Sequence, residues 1–331
     1  MAQTKKELVQ AALNNQPVDR VPVGFWFHYL ADEVNSNALD NPNIAKQNLD
    51  GHRTFYERFR PDFVKLMSDG YFIYPNEGLQ KVTSVQQLKN IRSLGPKHPW
   101  IEKQVELVKN LQDIFGNEVL TFYNIFAPAR YLEWSLPAYE KNILGGFIIE
   151  DKEAVKAALA VVAEDVASLA QRIIKDGGAD GIYFSVQNID DSRIAHSVYK
   201  DVIEPSEQSV LASANEVSDN NILHICGYEG HHNDLNWYTD YVTKAYNWAV
   251  KVENISLETG KKIFGGKAVI GGFGNTKEDV LYSGTEESIT ESAAKILQTA
   301  GRTGIILGAD CTVPRDINLK HLEWVRQAGE R

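Results

Sequence analysis

Lys152–Val186 reads KEAVKAALAVVAEDVASLAQRIIKDGGADGIYFSV, and how this stretch divides decides the fold. Ala, Val, Leu and Ile recur at three- and four-residue spacing as far as Asp176, the pattern of an amphipathic helix. Gly177-Gly178 then stops it, because glycine takes the left-handed conformation that ends helices. Gly181–Val186 (GIYFSV) follows as a short β-branched and aromatic run, the composition of a buried strand. Working outward, comparable runs are Pro22–Phe27 (PVGFWF), Phe63–Met67 (FVKLM), Val119–Ile125 (VLTFYNI) and Ile222–Gly227 (ILHICG). Ala245–Val250 (AYNWAV), Ala268–Phe273 (AVIGGF) and Gly304–Asp310 (GIILGAD) complete the set. Eight such runs separated by helical patterns predict parallel βαβ units. They close most naturally as one α/β domain over residues 1–331, a single (β/α)8 TIM-type barrel, with a doubly wound open sheet as the rival. Loop insertions are expected after strands one and two, at residues 28–62 and 68–118. With the aromatic segment 126–150 they would gather at the carboxyl end of the strands as a lid.

Composition narrows the function. A net charge of −10 argues against a nucleic-acid binder, which needs a basic face, and against an anionic membrane surface. No stretch reaches the roughly 20 continuous apolar residues that span a bilayer. The start, Met1 to Lys6, leads into a polar amphipathic helix rather than an apolar signal core, so a cytoplasmic protein is expected. Two cysteines are too few for a disulfide framework, and a reducing compartment keeps them as thiols.

Their positions carry the chemistry. His224 and Cys226 are two apart on a strand, so their side chains share one side, and Leu223 and Ile225 face the helices. Cys311 follows the last strand, in Leu307-Gly308-Ala309-Asp310-Cys311-Thr312-Val313-Pro314. All three therefore belong to the carboxyl ends of strands. An imidazole with two thiolates suits Zn²⁺, and three protein ligands leave one position open, the catalytic pattern. Such a site is suited to alkylating a thiol held as thiolate; water activation is the weaker use, because two anionic ligands damp the Lewis acidity. The blander reading makes each cysteine a small buried hydrophobe and the histidine a core residue.

A family resemblance covers almost the whole chain. Asp19-Arg20-Val21-Pro22-Val23 resembles the R-x-P-V opening of the uroporphyrinogen decarboxylase superfamily, and Arg60-Pro61-Asp62-Phe63 to Ser68-Asp69 is similar to its second strand. Gly178 to Ile182 resembles its fourth-strand entry. Gly272-Phe273-Gly274-Asn275 and Leu281 to Glu287 follow its G-N-x…L-x-x-G-T-x-E-E pattern. The resemblance implies a TIM-type barrel. The arginine-bearing segment that clamps porphyrinogen carboxylates is missing, since no Lys or Arg lies between Arg20 and Lys46. The family's C-terminal G-H-G-type histidine is also missing, and Cys311 stands in that neighbourhood. H-x-C with a distant G-x-C-x-x-P cysteine instead resembles the cobamide-dependent methyltransferase branch, although Ala309-Asp310 replaces the usual glycine before the cysteine. The resemblance maps His224, Cys226 and Cys311 onto zinc ligands. It implies a methylcobamide or other corrinoid as methyl donor, a small thiol as acceptor, and a homodimer. No D-x-H-x-x-G corrinoid-binding segment is present, so the donor is expected on a separate corrinoid protein or as free cofactor.

Other candidates are weaker. Asp69 maps onto the decarboxylases' catalytic aspartate, with a loop residue or helix cap as the plain alternative. His28, at the end of strand one, is a candidate base or contact at the mouth. His231 and His232 read as solvated loop residues within reach of the metal. Phe25, in the aromatic set Phe25, Trp26, Phe27 and Tyr29, is a candidate wall for a flat cofactor. Tyr183, Ser185 and Gly274 are candidate substrate or cofactor contacts. The expected activity is zinc-dependent methyl transfer to a thiol. The rivals are a decarboxylase using Asp69, thiol chemistry of the lyase type, and a non-catalytic corrinoid- or metal-binding module.

Overall fold

The computed structural model describes residues 2–137, 143–189 and 191–330. Residues 138–142 of the expected lid segment, and Met1 and Arg331 of the expected domain, lie outside the described residues. The sheet has seven parallel strands: β1 (Phe63–Leu66), β2 (Leu120–Phe126), β3 (Gly181–Val186), β4 (Ile222–Ile225), β5 (Ala245–Trp248), β6 (Ala268–Phe273) and β7 (Ile305–Ala309). They lie side by side in sequence order, each parallel to the next. A doubly wound sheet would reverse its order at a switch point, so this arrangement is TIM-like and rules the rival out.

The expected strand Pro22–Phe27 is corrected. It makes one isolated bridge, Val23 to Leu307, although it lies between β7 and β1. Gly24 N–H donates to Leu307 O at 3.0 Å, and Leu307 N–H to Pro22 O at 2.9 Å. On the β7 side Pro22 has no N–H to extend the ladder. On the β1 side the Val23 carbonyl accepts from the Asp62 N–H at 3.2 Å, but the Val23 N–H is taken at 2.8 Å by the Asp62 carboxylate, which Arg20 grips through both guanidinium ends at 2.7 and 2.5 Å. The stretches 28–62 and 68–118 each contain a long helix, Pro42–Phe59 and Pro99–Phe115, so their irregular parts are the first portions only.

Alternation along the strands creates two cores. Outward residues such as Leu66, Leu223, Ile225 and Leu307 pack against the helices. Inward residues, among them Phe63, Phe122, Tyr183, Ile222, Ile270 and Ile306, fill the interior with Trp26. The helix Lys5–Leu13, fixed by a Thr4–Glu7 capping box, adds Val9, Ala12 and Leu13 to that interior cluster. The helical stretch Ile143–Lys175 breaks at Asp151, so the expected start at Lys152 holds; Asp151 accepts from the Ala154 N–H at 3.0 Å as a cap. Among the described residues no helix is long and apolar enough to cross a membrane.

Candidate metal centre and its cavity

β4 carries His224 inward, with Cys226 just beyond its end, and Cys311 lies two residues past β7. Their ligand atoms all fall within 4.8 Å of one another. The two sulfurs are 4.0 Å apart, and Cys311 Sγ is 3.6 Å from His224 Nε2. A tetrahedral ion with sulfur at ~2.3 Å and nitrogen at ~2.0 Å would separate them by about 3.8 and about 3.5 Å. The three residues therefore fit a zinc-sized ion. Asn247 on β5 sets the imidazole: its Oδ1 lies 2.5 Å from His224 Nδ1, while its Nδ2 donates to Ile270 O at 2.9 Å. The amide thus accepts from Nδ1–H and leaves Nε2 as the ligating nitrogen. Hydrogen bonding from Cys226, then from His224, holds the Cys311 thiol well below its ordinary range. Cys226 is pushed up by its hydrogen bond to Cys311 and by burial.

A second polar pair forms from the segments that follow Trp26 and β1. His28 Nδ1 lies 2.9 Å from Asp69 Oδ1, and the other carboxylate oxygen accepts the Tyr29 N–H at 2.6 Å. Asp69 is fully buried, and the side chain of Asn48 ties its carbonyl at 3.0 Å. Gly70, at φ 92°, makes the turn that presents it, in a conformation that favours glycine. Burial alone would push the His28 pKa down, but the hydrogen bond and charge of Asp69 outweigh it, and the net direction is up.

Both groups border one cavity of about 680 Å³, whose lining includes His28, Lys65, Ser185, His224, Cys226 and Cys311. Residues of the expected lid segments, Glu33 and Val34 on one side and Phe126 to Trp134 on the other, also line it. Lys65 was not singled out in the sequence. It projects inward from β1, only 4 % exposed, with its ammonium 4.4 Å over the Tyr183 ring and 5.0 Å over that of Trp26. Burial pushes its pKa down to about 8, against the pull of the Cys311, Cys226 and Asp69 charges. Two desolvated cation–π contacts, each worth about 2 kcal/mol, offset only part of the several kcal/mol that burying an ammonium costs.

The other candidates divide. Ser185 lines the cavity. Tyr183 is buried in the interior beside Lys65, its ring 5.9 Å from that of His224. Phe25 does not reach the cavity: alternation sends Trp26 inward and Phe25 outward, against Phe59. Gly274 sits against the Asp279 carboxylate, away from the lining. His231 and His232 border the cavity, but neither is in the three-residue cluster, and His232 lies 3.4 Å from Glu253. The signals for the two missed residues were present: a lone lysine inside FVKLM and a lone amide inside AYNWAV.

With this geometry in place, comparison with known proteins decides the family. The sequence model of the uroporphyrinogen decarboxylase (URO-D) family matches residues 4–331. The chain belongs to that family. No curated protein matches it by sequence. Among solved structures, a methyltransferase from Methanosarcina mazei superimposes with a TM-score of 0.76 at 17% identity, covering 99% of this chain and 98% of that one. A B12-independent methionine synthase from Shewanella sp. W3-18-1, in complex with selenomethionine, superimposes with a TM-score of 0.58 at 15% identity, covering 94% and 97%. A putative vitamin-B12 independent methionine synthase from Listeria monocytogenes gives 0.56 at 13% identity, covering 95% and 97%. At these identities the likeness is one of fold.

Proposed function

We propose that this URO-D family protein is a zinc-dependent methyltransferase that moves a methyl group from a corrinoid to a small thiol. The observation that carries the reading is the cluster of His224, Cys226 and Cys311, with Asn247 aiming Nε2 at the sulfurs. These three residues would hold the ion. When bound, zinc would lower the pKa of a coordinated thiol enough for the thiolate to exist at neutral pH. His28 would take the thiol's proton at Nε2, because Asp69 accepts from Nδ1–H and leaves Nε2 with its lone pair. The sulfur's electron pair then forms the bond to the methyl carbon while the donor's bond to that carbon breaks. The cavity walls position the thiol and exclude water, so orientation supplies much of the rate. We take the donor to arrive on a separate corrinoid protein or as free cofactor, Pro22–Phe27 to complete the barrel's eighth position, and the protein to work in the cytoplasm, where both thiols stay reduced.

The decarboxylase alternative asks Asp69 to meet a substrate. Both of its oxygens are engaged by His28 and Tyr29, and it has no exposed surface, so the geometry favours a positioning role. The test is metal analysis of protein purified without chelator, followed by the loss of methylcobalamin absorbance with a thiol acceptor. About one zinc per chain and a transfer abolished in Cys311→Ala are expected. Absence of zinc, or full activity in that variant, would overturn the proposal, and carbon dioxide release that survives chelation would favour the decarboxylase.

A further inference from the structure

Lys65 is the one buried charge in this cavity that the described residues leave without a hydrogen-bond partner. Its ammonium offers three donors and accepts nothing, and its contacts are ring faces rather than oxygen atoms. The remaining charges of the cavity are accounted for. Asp69 is held by His28 at 2.9 Å, Glu133 by Arg130 at 3.0 Å, and Glu207 by the Tyr199 hydroxyl at 2.6 Å and the Tyr241 hydroxyl. Arg130 also reaches Gln187. Glu33, half-buried at the mouth, acts on His28. With a divalent cation bound, two thiolates would leave the metal cluster neutral, so it would not balance Lys65.

We propose that Lys65 is an anion anchor, which takes a single carboxylate or sulfonate on the molecule that enters the cavity. A charge-assisted bond to that group supplies the partner the ammonium lacks. One ammonium with no free guanidinium beside it fits a monoanion, not a dianionic phosphate and not a porphyrinogen with many carboxylates. Met67, Phe72 and Phe126 line the same space, so the stem behind the charge is apolar. This inference specifies the thiol acceptor of the reading above and rests on it for the identity of the other end of the ligand.

Binding without chemistry tests it first. Propionate and its neutral isostere propionamide are titrated into the zinc-loaded protein and followed by ligand-observed NMR. Propionate should bind roughly ten- to hundredfold more tightly. Lys65→Met should erase that preference with zinc content unchanged, and Lys65→Arg should retain part of it. Equal binding of propionate by wild type and Lys65→Met overturns the proposal. So does loss of zinc in step with loss of the anion, which would make Lys65 a counter-charge for the thiolates. Methylation of 3-mercaptopropionate and 2-mercaptoethanol separates this idea from the one beneath it. If neither thiol is methylated but the anion preference stands, only the thiol reading fails. If both are methylated with the same KM, and Lys65→Met leaves their ratio unchanged, only the anchor fails.

Discussion

The His224–Cys226–Cys311 cluster and the His28–Asp69 pair face the same cavity, yet they are built from different parts of the fold. The first stands on or just past two strands, β4 and β7, and takes its orientation from a third, β5, through the Asn247 amide. The second stands on irregular chain: the buried carboxylate accepts a backbone N–H, and an asparagine two helical turns into Pro42–Phe59 donates to the same residue's backbone carbonyl. In the first, soft ligand atoms converge on one another, with the Thr312 hydroxyl 3.9 Å from Cys311 Sγ. In the second, a carboxylate fixes one nitrogen of an imidazole and leaves the other towards the cavity. On the proposed function, the contrast separates a place to hold an ion from a place to hold a proton.

The largest effect should come from the first region. Cys226→Ala removes one of three ligands, and zinc content measured after dialysis should fall to background, with methyl transfer down at least about a thousandfold, a loss of ~4 kcal/mol in transition-state stabilisation. Retained zinc at one equivalent would break the assignment. Asn247→Ala should act on the same region more gently. Loss of an outer partner of a ligating histidine typically costs 10- to 100-fold in metal affinity. Competition with a chromogenic chelator should show that loss, while the His28 pair titrates unchanged. If Asn247→Ala leaves zinc affinity intact, the strand-borne orientation argued here is not what holds the imidazole.

The two regions also differ in how legible they were. Period-two alternation fixes which side of a strand a residue faces, so His224 and Cys226 could be paired from spacing alone, and the only other cysteine followed another strand. Asn247 could not be attached to them, because its role depends on the β4–β5 register that sets it opposite His224, and register is a tertiary fact. Lys65 stood out by type, but the ring faces it lies over come from segments distant in the chain. Pro22–Phe27 had the composition of a strand; a proline and one aspartate side chain removed the donors a ladder needs. His28 and Asp69 were each noticed, and their pairing was invisible because it joins two loops 41 residues apart.

Asp69→Asn is the smallest change and the sharpest test of the second region. The Asn Oδ1 can still accept the Tyr29 N–H, which turns its NH₂ towards His28 Nδ1 and forces that nitrogen to accept. The neutral ring then carries its proton on Nε2 and cannot take one there. The rate near neutral pH should fall about tenfold, below the usual 10²–10⁴ for a general base because zinc binding already favours the thiolate. The pH profile gives the decisive sign. In the wild type, Asp69 raises the His28 pKa above 6.5 against burial, helped by the weaker charges of Glu33 and Cys311, while Phe72 offers only a ring edge. Transfer should therefore climb with pH through an inflection above 6.5, as Nε2 loses its proton. With the Asp69 charge gone burial is nearly unopposed, and the inflection should move to lower pH. The same shift gives the ion pair a stabilising effect that is complete below pH 6.5 and lost as pH rises through the folded-state value, so the wild type's thermal advantage over Asp69→Asn should shrink as pH rises. A merely structural Asp69 would lower stability and leave the acidic limb of the rate where it was; an unmoved limb would therefore reduce the second region from proton handling to scaffolding.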